Sequence, residues 1–365
     1  MIVLHLITRI NRGGTASWLR NLDGLEANFR FSSLFAAGNL SEQETEDEYF
    51  VKAGYIKINN LQKRISLPRD FLAFLEIRQT LMRIKPDILN THTSKAGLLG
   101  RLANASIIGN RTKVIHTFHG HLLYGYFPRP ITFLLTKIEA FLEFFTDAYV
   151  VSGEKVKREL IAAGIGEKTP WVQINPGIPN MGTRDKSISR MKLNIDVKDF
   201  VVGWMGRLES IKRPKLFLDL ARLVPEAKFV IAGEGSLRED LEKDSPKNVS
   251  FVDWVNTEVF WSACDLAVST SENEAQPYAL IEAGLSGLPL IAFDVGGIEG
   301  VIKNGLNGYL CETIDEIAEK ILFLRLNKNK LVEFGTSSVY HMKRNFSISE
   351  FKDKHIELYD SLVLN

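Results

Sequence analysis

The densest chemistry in the chain lies in Ser271-Glu-Asn-Glu-Ala-Gln-Pro-Tyr-Ala-Leu-Ile-Glu282, where seven residues separate Glu274 from Glu282. Glu274 stands in a loop, after an apolar run and before a helical pattern beginning at Tyr278. Glu282 falls inside that helix, among Ala279, Leu280, Ile281 and Ala283. A carboxylate in such surroundings needs partners. Adjacent ribose hydroxyls would supply them, because a carboxylate accepts from two donors at once. Glu274, in the loop, is placed to accept from hydroxyls of a sugar. The competing reading of the same spacing is a charge at a helix N-terminus with a structural ion pair. Upstream, Gly206-Arg207-Leu208 and Lys212 follow another apolar run. Two cations there suit a diphosphate, Arg207 binding bidentately and Lys212 as a point charge; a solvated turn is the plain alternative. Gly233-Glu-Gly235 is a further strand-to-helix glycine turn.

The first half carries weaker signals. Gly13-Gly14 precedes a helical pattern and would let backbone N–H groups approach a phosphate, or simply make a tight turn. Asn90-Thr-His-Thr-Ser-Lys-Ala-Gly97 is rich in hydroxyls and includes His92, Ser94 and Lys95, which suits a polar ligand. His116-Thr-Phe-His-Gly-His121 holds three histidines in six residues. Alternate strand positions face opposite sides, so His116 and His119 are expected apart and metal binding is disfavoured. His119, before Gly120, is the ring expected at the site.

The elements that must position these residues alternate. Apolar runs at Ile2–Thr8, Phe31–Ala37, Tyr55–Ile58, Asp87–Asn90, Lys113–Thr117, Ala148–Val151 and Trp171–Ile174 read as strands, with helical patterns such as Phe71–Ile84 and Gly153–Ala163 between them. Asn175-Pro-Gly-Ile-Pro179 and the polar stretch after it read as a linker. Alternation then restarts with strands at Phe200–Met205, Lys228–Ala232, Val249–Val252, Leu266–Ser269 and Pro289–Phe293. The fold class is therefore α/β: two halves with mostly parallel sheets, whose ligands sit at the carboxyl ends of the strands. Such ends can face each other across a cleft. The acidic cluster Glu42–Glu48 reads as a solvated helix face or loop.

Composition bounds the function. The 365 residues carry 45 Lys plus Arg against 44 Asp plus Glu, a balance that gives no sign of a nucleic-acid partner. Cys264 and Cys311 form no disulfide framework, which suits a reducing compartment. The N-terminus reads as a buried strand rather than a signal peptide. No apolar stretch is long enough to span a bilayer, so the expectation is a cytoplasmic protein, with peripheral contact on the inner face of the cytoplasmic membrane left open. Leu122–Phe145 is unusually aromatic. It reads first as a buried helix, and alternatively as a greasy surface for a lipid acceptor or bilayer, with Arg129 and Lys137 near headgroups.

Together, Gly13-Gly14, the loop 91–97, Thr117-Phe-His-Gly120, Gly206-Arg-Leu208 with Lys212, Gly233-Glu-Gly235, Glu274 through Glu282 and Pro289-Leu-Ile-Ala-Phe-Asp-Val-Gly-Gly297 resemble the GT-B retaining glycosyltransferases, in particular glycosyltransferase family four. The resemblance covers nearly the whole chain. It implies two Rossmann-like domains, at residues 1–180 and 181–346, with a tail helix (347–365) crossing back to the first. It implies a nucleoside diphosphate sugar as donor, UDP- or GDP-linked, a lipid-linked or cell-surface glycan as acceptor, and neither cofactor nor metal. Arg207, Lys212 and Gly206 would hold the diphosphate with the Gly13, Gly14 and Gly233 turns. Glu282 would hold the ribose and Glu274 the sugar, with Tyr278, Ala279 and Leu280 beside them. His119 would lie near the reacting sugar. On the acceptor side the candidates read from the sequence itself are His92, Ser94, Lys95 and His121. Ala275, where many relatives have Gly, and Gly300, where relatives often have Glu, depart from the pattern. Two alternatives are a non-hydrolysing sugar-nucleotide epimerase and a non-catalytic nucleotide- or glycan-binding relic.

Overall fold

The computed structural model describes residues 1–23, 31–42, 44–120, 123, 128–179, 181–182, 184–253 and 255–364. The chain divides into two units, one made of Met1–Gly177 with Ser349–Asn365, the other of Ile178–Ile348. The boundary falls just before the position expected from sequence. Ile178 is buried in the second unit's core, and its N–H donates to Phe346 O at 2.9 Å.

The first unit is built on a seven-stranded parallel sheet of β1 (Ile2–Ile7), β2 (Ser32–Asn39), β3 (Ile56–Gln62), β4 (Ile88–His92), β5 (Lys113–Phe118), β6 (Ala148–Val151) and β7 (Trp171–Gln173), in the order β3-β2-β1-β4-β5-β6-β7. The second has six parallel strands, β8 (Val201–Met205), β9 (Lys228–Ala232), β10 (Val249–Val252), β11 (Leu266–Ser269), β12 (Leu290–Phe293) and β13 (Gly308–Cys311), in the order β10-β9-β8-β11-β12-β13. Strand order reverses beside β1 and β4 in one sheet, and beside β8 and β11 in the other. In doubly wound sheets the ligand crevice opens at these reversals.

The second sheet shows why its strands read as unbroken apolar runs. Val202, Trp204, Phe229, Ile231, Leu266, Val268 and Ile291 belong to one buried cluster, while Val201, Val230, Ala232, Ala267, Leu290 and Ala292 belong to another. Successive residues go to opposite faces, and helices cover both. The tail forms the helix Ile348–Val363 and lies in the first unit. It buries Phe351, His355, Leu358 and Tyr359, at helical spacing, and Phe351 meets Trp18 edge-on at 4.8 Å between ring centroids.

Two sequence expectations change. The acidic stretch is not simply solvated. Glu44 takes both its carboxylate oxygens to Arg9 Nε, at 2.7 and 2.6 Å, and Asp47 is buried and caps the helix Glu48–Ala53. The stretch thereby braces the loop that follows β1, where Arg12 N donates to Thr45 O at 2.9 Å. The described part of the aromatic segment is not a buried helix either. In Arg129–Leu142 only Glu139 and Leu142 are buried, while Phe133, Leu134 and Phe141 are more than half exposed. Leu122, Tyr124, Tyr126 and Phe127 lie outside the described residues.

Candidate active site

In the second unit, the loops after β8 and β11 are stitched together at the strand reversal. Thr270 is the knot. Its hydroxyl contacts the carbonyls of Lys212 and Arg213 at 2.9 and 3.0 Å, and Trp204 Nε1 donates to it at 3.1 Å. Arg213 Nε donates to Thr270 O at 2.9 Å, and Glu272 N to Ile211 O at 2.9 Å. This backbone lacing places Lys212 Nζ on Glu274 Oε1, an oxygen that also accepts from Ser271 Oγ at 2.7 Å. Lys212 and Glu274 are mostly buried, with side chains 20% and 12% exposed. Arg207 keeps more solvent at 40% exposed, and its Nη1 donates to Glu209 Oε1 at 2.8 Å. Glu282 is half-buried in the helix Tyr278–Leu285, whose first turn has no side-chain cap. Leu280 is buried in the core and offers no side chain to a ligand; Tyr278 and Ala279 are half-buried.

Glycine turns press these loops into place. The φ of Gly233 is +148°, and a Cβ there would stand 1.9 Å from Gly206 O. The pairing of β8 with β9 is thereby extended past the strands, Leu208 N donating to Glu234 O at 2.8 Å. The turn Gly296-Gly297 backs the glutamate loop: Gly297 N donates to Glu274 O at 2.9 Å, and a Cβ on Gly296 would meet that same oxygen at 1.9 Å. Gly300 has a local explanation. A Cβ there would stand 2.6 Å from Nε2 of the buried Gln276, so this chain fills with Gln276 the space that a longer residue at 300 would need.

In the first unit the polar residues again gather at the reversal. Thr8, after β1, and Thr93, after β4, share a hydroxyl–hydroxyl hydrogen bond of 2.7 Å. Gly13, at φ +144°, precedes the helix Gly14–Leu22, whose N-terminus has no side-chain cap. Ser94 opens the helix Ser94–Ala105. Lys95 Nζ is engaged with Asp70 Oδ1 at 2.7 Å and Arg64 O at 2.6 Å. His92 is fully buried, so it meets a ligand only through the ring beyond it: His92 Nδ1 lies 2.9 Å from Nε2 of the partly exposed His119. His116 turns instead to Thr91 Oγ1, at 2.8 Å. Burial holds the pKa of His119 down at about 3, with the nearby His355 adding to the effect. His121 lies outside the described residues. Among the described residues no group of three or more His, Cys, Asp or Glu is placed to hold a metal.

Sequence reasoning missed Thr270 and gave Ser271 no role, yet both fix the Lys212–Glu274 pair. Their signal was present: two hydroxyl residues directly after a buried strand, ahead of the glutamate.

Two doubly wound units, with cations and carboxylates laced at the strand reversal of the second, define a GT-B type of α/β enzyme. Residues 32–179 match the model of "Glycosyltransferase Family 4" and residues 185–338 that of "Glycosyl transferases group 1". The chain belongs to these glycosyltransferases, and it is itself a glycosyltransferase. It is 27% identical over 330 residues to the UDP-Gal:alpha-D-GlcNAc-diphosphoundecaprenol alpha-1,3-galactosyltransferase of Escherichia coli, covering 84% of each chain. It is 32% identical over 174 residues to the poly(ribitol-phosphate) alpha-N-acetylglucosaminyltransferase of Staphylococcus aureus, covering 44% of this chain and 35% of that one. Among solved structures, Anabaena HepE in complex with UDP and glucose superposes with a TM-score of 0.82 at 19% identity, over 99% of this chain and 100% of that one, which speaks for the fold.

Proposed function

We propose that this chain moves a hexose or N-acetylhexosamine from a UDP-linked donor to a hydroxyl of a lipid-linked or cell-surface glycan, with retention and without a resident metal. The observation that carries the reading is the mostly buried Lys212–Glu274 pair at the β8/β11 reversal, with Arg207 in the same segment after β8. Arg207 and Lys212 take the diphosphate, and their charge stabilises it as it departs. Glu274 accepts from hydroxyls of the donor sugar and Glu282 from those of the ribose. His119 meets the reacting sugar. The bond from the sugar's anomeric carbon to the diphosphate breaks as the acceptor oxygen bonds the same face. The acceptor proton passes to the departing phosphate oxygen, so no side chain has to act as nucleophile. The names of relatives that use UDP-galactose or build α-linked products support the donor and the stereochemistry.

The test is incubation with a panel of UDP- and GDP-sugars and a polyprenyl-diphosphate sugar acceptor, with and without EDTA, followed by NMR of the product. Transfer from a UDP-sugar giving an α-linked product, unaffected by EDTA, is expected. A β-linked product would overturn retention, and loss of turnover in EDTA would overturn metal independence. Donor epimerised without an acceptor would favour the epimerase, and donor bound but never consumed the relic.

The helix Arg129–Leu142 supports peripheral membrane contact. Its inward side holds Leu142 and an ion pair: Arg101, wholly buried, donates from Nη2 to Glu139 Oε2 at 2.6 Å. Its outward side carries Ile131, Phe133, Leu134 and Phe141, with Lys137 Nζ 5.4 Å from the centre of the Phe133 ring. A helix pinned by an ion pair with its greasy face outward suits the headgroup boundary of an anionic bilayer.

A further inference from the structure

Three histidines of the first unit stand in line. His5 lies on β1, His92 ends β4 and His119 follows β5. His5 Nδ1 is 3.2 Å from His92 Nε2, and His92 Nδ1 is 2.9 Å from His119 Nε2. His5 and His92 are fully buried, whereas His119 is partly exposed. The His92 and His119 rings stack at 25°, and Trp18 meets His119 edge-on at 5.2 Å, so the outer ring is held on two sides.

Full burial keeps His5 and His92 neutral, and the mostly buried His119 is held neutral with them. Each neutral ring brings one N–H, and His92 must donate in one contact and accept in the other. Only two patterns satisfy both contacts. In the first, His5 Nδ1–H donates to His92 and His92 Nδ1–H donates to His119, which then carries its own proton on Nδ1. In the second every donor is reversed, and His5 carries its proton on Nε2. His5 Nε2 is buried and has no hydrogen-bond partner among the described residues. The second pattern strands an N–H there, and the first leaves only a bare lone pair. An orphaned buried N–H is the rarer and less tolerated of the two.

We infer that His5 and His92 are positioning residues which fix the tautomer of His119, so that it presents an Nδ1–H donor to an oxygen of the reacting sugar. This rests on the reading that places His119 beside that sugar. In this tautomer His119 cannot accept the acceptor's proton through Nδ1, which leaves that proton to the departing phosphate. It also makes the position select for a ligand oxygen that accepts a hydrogen bond.

The direct test is read on the native chain, with a variant used only for assignment. Two-bond proton–nitrogen correlation NMR on the full 15N-labelled chain reads which ring nitrogen of His119 is protonated, with assignment through His119→Gln. A proton on Nδ1 is expected, and a proton on Nε2 overturns the relay. In kinetics, His92→Asn keeps an N–H where Nδ1–H stood and should hold kcat within about threefold, while His92→Phe should lower kcat about tenfold with donor KM nearly unchanged. Equal kcat in the two variants would also overturn it. The two failures are distinguishable. An Nε2–H His119 sinks the relay whatever the activity. An Nδ1–H His119 whose His119→Ala variant transfers at full rate sinks instead the placement of His119 at the sugar.

Discussion

Lys212 and Glu274, 62 residues apart in sequence, form one ion pair, and the same glutamate oxygen accepts from Ser271. The pair sits where loops from β8 and β11 meet, so its geometry is set by backbone lacing and not by the two flexible side chains alone. The proposed function, stabilising a leaving diphosphate, calls for that precision.

Removing either partner should therefore affect the chemical step. Lys212→Ala and Glu274→Gln are each expected to lower kcat about a hundredfold or more, the scale of losing one preorganised electrostatic contact. Circular dichroism and the thermal midpoint should report an intact fold. Full turnover in both variants would defeat the site assignment.

Glu282 has a different expected signature. If its carboxylate holds the ribose, Glu282→Ala should raise the donor KM about tenfold, the scale of a lost charge-assisted hydrogen bond. It should also shrink the thermal shift produced by UDP. The decisive comparison uses a 2′-deoxyribose donor: the native chain should discriminate against it and the variant should not. Equal discrimination by both would remove Glu282 from the ribose.

The glycine turn behind Glu274 can be tested by stability. Gly296 has φ +52° and its Cβ position lies 1.9 Å from Glu274 O, whereas Gly305 has φ +77° with nothing within 4 Å. Gly305→Ala should cost about 1–2 kcal/mol from backbone strain alone. Gly296→Ala adds a collision with the glutamate loop and should cost about 2–4 kcal/mol, with activity lost alongside. Urea denaturation yields both numbers, and equal costs would show that the close approach is unimportant.

Acidification should weaken the first unit. Burial lowers the pKa of His5 and His119 to about 3 and that of His355 to about 4, and pushes His92 and His116 well below their usual range. The unfolded chain protonates these rings near pH 6.5. Their contribution is thus fully present above about pH 6.5 and is lost as pH falls toward the folded values. The urea midpoint should drop steadily from pH 7 to pH 5, and less steeply in His355→Phe. A flat midpoint over that interval would contradict the burial of these rings.

The outward face of Arg129–Leu142 predicts sedimentation with anionic liposomes. Changing Phe133, Leu134 and Phe141 to Ser should abolish it while leaving transfer to a water-soluble acceptor intact. Unchanged sedimentation would place any membrane contact elsewhere.

Sequence alone determined the strand–helix alternation, the two α/β halves and the order of the site motifs. These are local matters: a strand buried on both faces reads as an apolar run, and a tail helix shows its buried stripe at Phe351, His355, Leu358 and Tyr359. It missed β13, Gly308–Cys311, because four residues, two of them only half-buried, leave too little pattern to read. Tertiary structure decided what covers what. Periodicity in Arg129–Leu142 marks an apolar face without saying which way it points; the buried Arg101 turned it outward by claiming Glu139. Spacing offered Lys212 and Glu274 as separate site residues, and only the meeting of β8 with β11 made them a pair. The histidine line needed three strands laid side by side, since nothing local in the sequence brings His5, His92 and His119 together.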